Sequence, residues 1–212
     1  MLFRNREEAA RLLIRPLEKF RKDAVVVLSI PRGGVPMGCI IAKHFGWEHG
    51  LLLTKKIGHP LNPEYAIGAV SSNMFFVDER HADVSQSYID SEVARISKSI
   101  SEREKRFLKV RPAPELSGKT VVVVDDGIAT GLTMKLSVQM LRQQYPKQIV
   151  VAVPVAPLST GSMIRKVVDE LIVLHSTEDF SGVGQFYEDF SEVTDADVEA
   201  CLDGLVRNQM NH

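Results

Sequence analysis

Residues 121–131 read VVVVDDGIATG, and the rest of the fold can be worked out from this stretch. Four successive valines are β-branched and apolar without alternation, the pattern of a strand buried on both faces. Such strands belong to parallel sheets covered by helices on each side. The run ends in Asp125 and Asp126, carboxylates at the margin of an apolar interior, where an unpaired charge is costly. Beyond Gly131, LTMKLSVQMLRQQY (132–145) has helical spacing. The order is therefore strand, two acids, glycine-framed loop, helix.

The same alternation recurs on either side. AVVVLSI (24–30) reads as a strand followed by PRGGV, and PMGCIIAKHFG (36–46) as a helix that starts with Pro and stops with Gly. LLLTKKI (51–57) reads as another strand, leading into the loop GHPLNPEY, after which AIGAVSS and NMFFVD form a short hairpin. Residues 85–110 are expected to be a long polar helix with Ile89, Val93, Ile96, Ile100 and Phe107 on one face. QIVVAVPV (148–155) and ELIVL (170–174) are further strands, with a helix over 159–168 between them. At the start, Asn5 and Glu8 cap a helix with apolar Leu12, Leu13 and Leu17, which Pro16 should kink. In the tail an aromatic-rich loop precedes a helix capped by Thr194, with Asp195 and Asp197 in its first turn. The expected fold is α/β, a mostly parallel sheet flanked by helices in a single domain over residues 1–212. Ligands of such sheets sit beyond the carboxyl ends of the strands. Three of those ends carry unusual chemistry: PRGG (31–34), Lys55–Lys56 and 125–131. They should converge.

Composition narrows the function. Of 212 residues, 44% are apolar and 25% charged, with a net charge of −1, so nothing draws the whole chain to nucleic acid or to an anionic membrane. The basic residues of the 95–111 helix are interrupted by Glu102 and Glu104, and the helix reads as a solvated face. Cys39 and Cys201 are the only cysteines, far apart in sequence and without CxxC spacing. A disulfide framework and a thiolate zinc site are disfavoured, and a reducing, cytoplasmic setting fits. The apolar runs fall well short of the about 20 residues that span a bilayer. There is neither a Walker loop nor a GxGxxG after a strand.

Adjacent strand residues point to opposite faces, so Asp125 and Asp126 mark the place where the strand ends. A glycine-framed loop at a helix N-terminus can turn several N–H groups inward as a phosphate cradle, to which Thr130 and Thr133 add hydroxyls. Ionised carboxylates only accept hydrogen bonds, so they suit the hydroxyls of a ribose, and a divalent cation would relieve their repulsion. The plainer alternative is that the two acids merely complement the helix dipole, worth about 0.3–1 kcal/mol.

VVVVDDGIATGLT resembles the phosphoribosyl pyrophosphate signature of the type I phosphoribosyltransferases: an apolar run, two acids, two aliphatic residues, a small residue, Thr, Gly and a hydroxyl. Gly127 departs from it by replacing an aliphatic residue, and the loop is expected to be more flexible there. The resemblance implies that Asp125 and Asp126 hold the ribose hydroxyls and magnesium, directly or through water. It implies that Gly127, Ile128, Ala129, Thr130, Gly131 and Thr133 take the 5′-phosphate. SIPRGG resembles the family's pyrophosphate loop, often bearing a cis peptide that is not at proline, with Arg32 on the pyrophosphate and Gly33 and Gly34 allowing close approach. Lys55 and Lys56 stand where the family has a cation before a mobile flap, here about 57–84, in which Glu64 is a candidate proton-transfer group. A hood, about 176–212, would bind the base through Phe180, Phe186, Tyr187 and Phe190; each is equally a candidate anchor of the tail to the core. Ala129 stands where the enzymes for 6-oxopurines carry an aspartate, which points away from those bases. PRGGV, the KIG-to-GAV segment and the DFSGVGQFYEDF tail are also similar to a bacterial group of predicted phosphoribosyltransferases, over residues 3–203. The implied activity is transfer of a phosphoribosyl group to a nitrogenous base. The alternative is a regulatory module that binds phosphoribosyl pyrophosphate without turnover. Type I enzymes are often dimers, so a homodimer is a further expectation.

Overall fold

The computed structural model describes all residues except 1, 73, 79, 81, 82, 108–112 and 210–212, and omits the side chains of Glu64 and residues 206–209. Five strands, β1 (Val25–Ser29), β2 (Glu48–Leu51), β6 (Thr120–Val124), β7 (Gln148–Pro157) and β8 (Glu170–Thr177), form one sheet in the order β2-β1-β6-β7-β8. Every pair in it is parallel. The valines of β6 show why they are continuous. Val122 and Val124 join one core with Leu13, Met37 and Ile41 from α1 (Arg6–Leu17) and α2 (Gly34–Phe45). Val121 and Val123 join the other, with Met134 and Val138 from α4 (Leu132–Arg142) and Ile164 from α5 (Leu158–Ile164).

Several local readings hold. Asn5 Oδ1 accepts from the Glu8 N–H at 3.0 Å, and α1 runs through Pro16 only to its final residue, Leu17. Leu13 and Leu17 are buried, but Leu12 is 40% exposed and lies off the apolar stripe. Thr194 caps α6 (Asp195–Gln209), its hydroxyl accepting from the Asp197 N–H while Asp197 accepts from the Thr194 N–H. The long helix is α3 (Gln86–Phe107), with Ile89, Ile96, Ile100 and Phe107 buried.

The strand expected over 51–57 is two elements. β2 ends at Leu51, and the chain then leaves the main sheet to enter β3 (Lys55–His59), which pairs antiparallel with β4 (Asn62–Val70) and then β5 (Phe75–Val77) in a separate sheet. The apolar run is continuous because it crosses between two packing units: Leu52 is buried in the core beside β1, Leu53 in the core beneath the second sheet. GHPLNPEY is the end of the β3–β4 hairpin. A Cβ on Gly58 would lie 2.4 Å from the Pro63 carbonyl oxygen, so the strands close there only because position 58 has no side chain.

β1 is followed by β2 on one side and β6 lies on its other side. The strand order therefore reverses between β1 and β6, and their carboxyl ends open onto the crevice that such a switch point creates.

Candidate active site

Two of the three strand ends meet at this crevice. The Ile30 N–H donates to the Val124 carbonyl at 3.0 Å, and the Pro31–Arg32 peptide is cis, as the resemblance implied. A Cβ on Gly33 would lie 1.9 Å from Asp126 Oδ2, and one on Gly34 would lie 2.6 Å from the Val124 carbonyl. Both glycines are therefore needed for the β1 loop to lie against the acid pair.

Asp125 Oδ1 accepts the Asp126 N–H at 2.8 Å. Burial pushes the Asp125 carboxyl well above the usual aspartate range, and the charge on Asp126 pushes it further. Asp126 is also raised by burial, against a hydrogen bond from Arg6 that pulls it down. Arg6 went unnoticed in the sequence, 120 positions from Asp126, yet its Nε donates to Asp126 Oδ2 at 2.8 Å with both side chains under 15% exposed. The same guanidinium donates to the Ser191 carbonyl at 2.8 Å and lies 4.0 Å from the centre of the Phe190 ring. The Tyr187 hydroxyl donates to the Asp126 carbonyl at 2.6 Å. Burial, then the Asp126 charge, pushes that phenol up and keeps it protonated. An N-terminal helix and a C-terminal tail thus hold Asp126 between them.

The loop beyond the acids borders a cavity of about 160 Å³ lined by Ile30, Asp125, Ala129, Thr130, Gly131 and Thr133, among others. Ala129, Thr130 and Thr133 are exposed. Gly131 has φ +72°, and its carbonyl accepts the Lys135 N–H at 2.8 Å as α4 begins. Ile128 is an anchor: its side chain is buried and its N–H donates to Val155 O at 3.0 Å. Gly127 is not a point of slack. It is buried, and a Cβ there would lie 2.6 Å from Val183 Cγ1 and 2.8 Å from Val155 Cγ2, so the missing side chain is the space that the tail occupies.

The third strand end behaves differently. Lys55 faces α3, where its Nζ donates to Ser99 Oγ at 2.9 Å. Lys56 projects from the opposite face, opposite Ala69, which packs on Leu136 of α4. The two lysines cannot act together while β3 stays extended, and Lys56 is the one on the side of α4, the helix that follows the 127–131 loop. Glu64 falls within β4, but its side chain is outside the described residues. Arg32 is held by Glu192, and lies 4.0 Å from Asp195 at the start of α6, rather than turning into its own loop. Of the aromatic set, Phe186 and Tyr187 are buried, with Phe180 packed on Phe186 at 5.2 Å. These three anchor the tail. Phe190 alone is substantially exposed, at 37%, and its ring also contacts Tyr187 at 5.0 Å. Among the described residues no group of three or more His, Cys, Asp or Glu could hold a metal, and no helix is long and apolar enough to cross a membrane.

The phosphoribosyl transferase domain family matches residues 2–191. The chain belongs to that family. Two Mycobacterium tuberculosis proteins, provisionally named phosphoribosyl transferases, are 35% identical to it over 98% of its length. The chain spans about half the length, 48%, of each of these relatives. A crystal structure from Thermus thermophilus is 40% identical, covers 95% of the chain with 98% of its own, and superposes with a TM-score of 0.88. In this chain the β1 loop, the acid pair and the 127–131 loop are the elements that meet at the switch point.

Proposed function

We propose that the chain transfers a phosphoribosyl group from phosphoribosyl pyrophosphate to a nitrogenous base, releasing pyrophosphate. The observation that carries this is the contact of Gly33 and Gly34 with Asp126 and Asp125 beside the Thr130–Thr133 cavity: an anion loop, two hydroxyl acceptors and a phosphate-sized seat in one crevice. The ribose lies across Asp125 and Asp126, with its 5′-phosphate at Thr130, Gly131 and Thr133. Among the described residues Arg6 is the one cation paired with this largely enclosed carboxylate pair, and Asp125 resists ionisation, so the crevice favours further positive charge. With only two carboxylates, these residues fit a magnesium ion that brings substrate oxygens and water as its other ligands. When bound, magnesium neutralises charge developing on the leaving pyrophosphate.

The protein's own part is orientation and electrostatics. The β1 loop receives the pyrophosphate, and Arg32 reaches it by exchanging Glu192 and Asp195 for phosphate oxygens. The β3–β4–β5 sheet serves as the flap that excludes water and brings Lys56 to the site, while the tail is the hood of the same domain. Phe190 is the aromatic with surface to offer a planar base. The second reading, a sensor that binds phosphoribosyl pyrophosphate without turnover, is favoured by the engagement of Arg32 with the tail acids. Pyrophosphate release from phosphoribosyl pyrophosphate and magnesium with pooled nucleobases, beside Asp126→Asn, tests both. Base-dependent release that is lost in the variant supports transfer. Binding without release from any base supports the sensor.

A further inference from the structure

The two cysteines, separated by most of the sequence, are neighbours in the fold. Cys39 lies in the second turn of α2 and Cys201 in the second turn of α6, and both are free. They share one apolar cluster with Val35 and Val198, each wholly buried one turn earlier on its helix. α2 packs against α6, and Cys201 lies against the buried cluster that contains Cys39. Cys39 is buried, whereas Cys201 keeps some contact with solvent. An inert pair of buried thiols would have both sulfurs closed in apolar surroundings. Here Cys201 is part-exposed and Cys39 is buried in the same cluster, the arrangement of an attacking and a resolving thiol.

We propose that Cys39 and Cys201 form an oxidation-sensitive dithiol that closes reversibly to a disulfide and pins α6 onto α2. The oxidant is of the peroxide class. The Cys201 thiolate attacks one peroxide oxygen, the O–O bond breaks, and Cys201 becomes a sulfenic acid as one water leaves. The Cys39 sulfur then attacks the Cys201 sulfur, the S–O bond breaks, and a second water leaves. Two thiols lose two electrons and two protons, and the peroxide gains them. The neighbouring Cys39 thiol lowers the Cys201 thiol, against burial and the charge of Asp197, which favours it as the attacking group. The neighbouring Cys201 and burial push Cys39 up, so it remains protonated until it resolves the intermediate.

The consequence for the site rests on the function proposed above. α2 starts at Gly34, two residues after Arg32, and α6 starts at Asp195, which faces Arg32 at 4.0 Å. Joining the two helices one turn further on holds the tail acids over Arg32 and opposes its exchange onto pyrophosphate.

The test uses the full chain, reduced and then exposed to hydrogen peroxide, with thiols counted after denaturation and peptides mapped without reductant. The expected result is joint loss of both thiols, a Cys39–Cys201 linked peptide within one chain, and recovery of both thiols with dithiothreitol. Cys201→Ser should leave Cys39 unreactive in the folded protein. Oxidation of Cys201 to sulfinic or sulfonic acid without a linked peptide, linkage only between chains, or no reaction would each overturn the proposal. The wild-type peptide map needs no variant to fold. Binding of phosphoribosyl pyrophosphate before and after oxidation is a separate measurement. A linked peptide with unchanged binding removes the effect on Arg32 alone, and no binding even when reduced removes the proposed function while leaving the dithiol intact.

Discussion

Around Asp125 and Asp126 a single added carbon finds no room, at Gly33, Gly34 or Gly127, whereas at the tip of the β3–β4 hairpin large apolar side chains stand in water. Leu61 is 89% exposed and Tyr65 50%. The acid-pair loop is fixed by the sheet, by α1 and by the tail. The hairpin has its base on α3 and α4, and Leu61 at its tip is largely exposed. On the function proposed above, the groups that would meet the ligand in one geometry are held before it arrives, while the hairpin proposed to close over it has few contacts of its own to give up.

The contrast can be broken most forcefully at Asp126. Asp126→Ala leaves Arg6 buried without its carboxylate and should cost about 3–5 kcal/mol of stability in denaturant unfolding. A loss under about 1 kcal/mol would mean that Arg6 is not held as described. Gly33→Ala comes next, because its new carbon coincides with the Asp126 carboxylate. Catalytic efficiency for pyrophosphate release should fall about 100-fold with the protein still folded, since displacement by about 1 Å at a reacting centre has that effect. Gly127→Ala should destabilise by about 1–3 kcal/mol through overpacking, relieved by a second change, Val183→Ala. If the loop were slack there, the same substitution would stabilise by about 0.4–1 kcal/mol instead, so the sign of the shift decides.

A subtler difference is electrostatic. The folded-state carboxyl of Asp125 lies above its ordinary value of 3.8, so the unliganded fold binds a proton there more readily than the unfolded chain does. Its contribution to stability is complete below that ordinary value and is lost as pH rises through the raised one. Thermal melts from acidic to neutral pH should show a fall that Asp125→Asn reduces. At the hairpin tip, Leu61→Ser should shift stability by less than about 0.5 kcal/mol. A cost above about 1 kcal/mol would mean that the tip is packed after all.

How far these regions could be read in advance follows from where their determinants lie. The β6 valines, the acids and the glycines are contiguous, and the physics that places them is local: burial on two faces, then a strand end, then a helix start. β2 and β3 were fused in the sequence reading because hydrophobicity does not record which core a leucine enters, and Leu52 and Leu53 enter different ones. The aromatic tail looked equally suited to a base and to the core; only packing separates Phe186 and Tyr187 from the more exposed Phe190. Gly127 was read as slack because a missing side chain carries no sign of what fills the gap. Arg6 had no local signal whatever. It is one charged residue in the first turn of an amphipathic helix, and its partners come from elsewhere in the chain.

That separation has a consequence for how the chain is made. Synthesis runs from the N-terminus, so Arg6 leaves the ribosome before its partners, Asp126 following 120 residues later and Ser191 185 residues later. Phe3 likewise waits for Tyr187, with which it forms a β-bridge. A nascent chain long enough to complete the five-stranded sheet at Thr177 still lacks the wall that Phe186, Tyr187 and Phe190 supply. The crevice therefore closes only after all five strands of the sheet have emerged, and a chain cut short after β8 has both acids but not the tail that covers them.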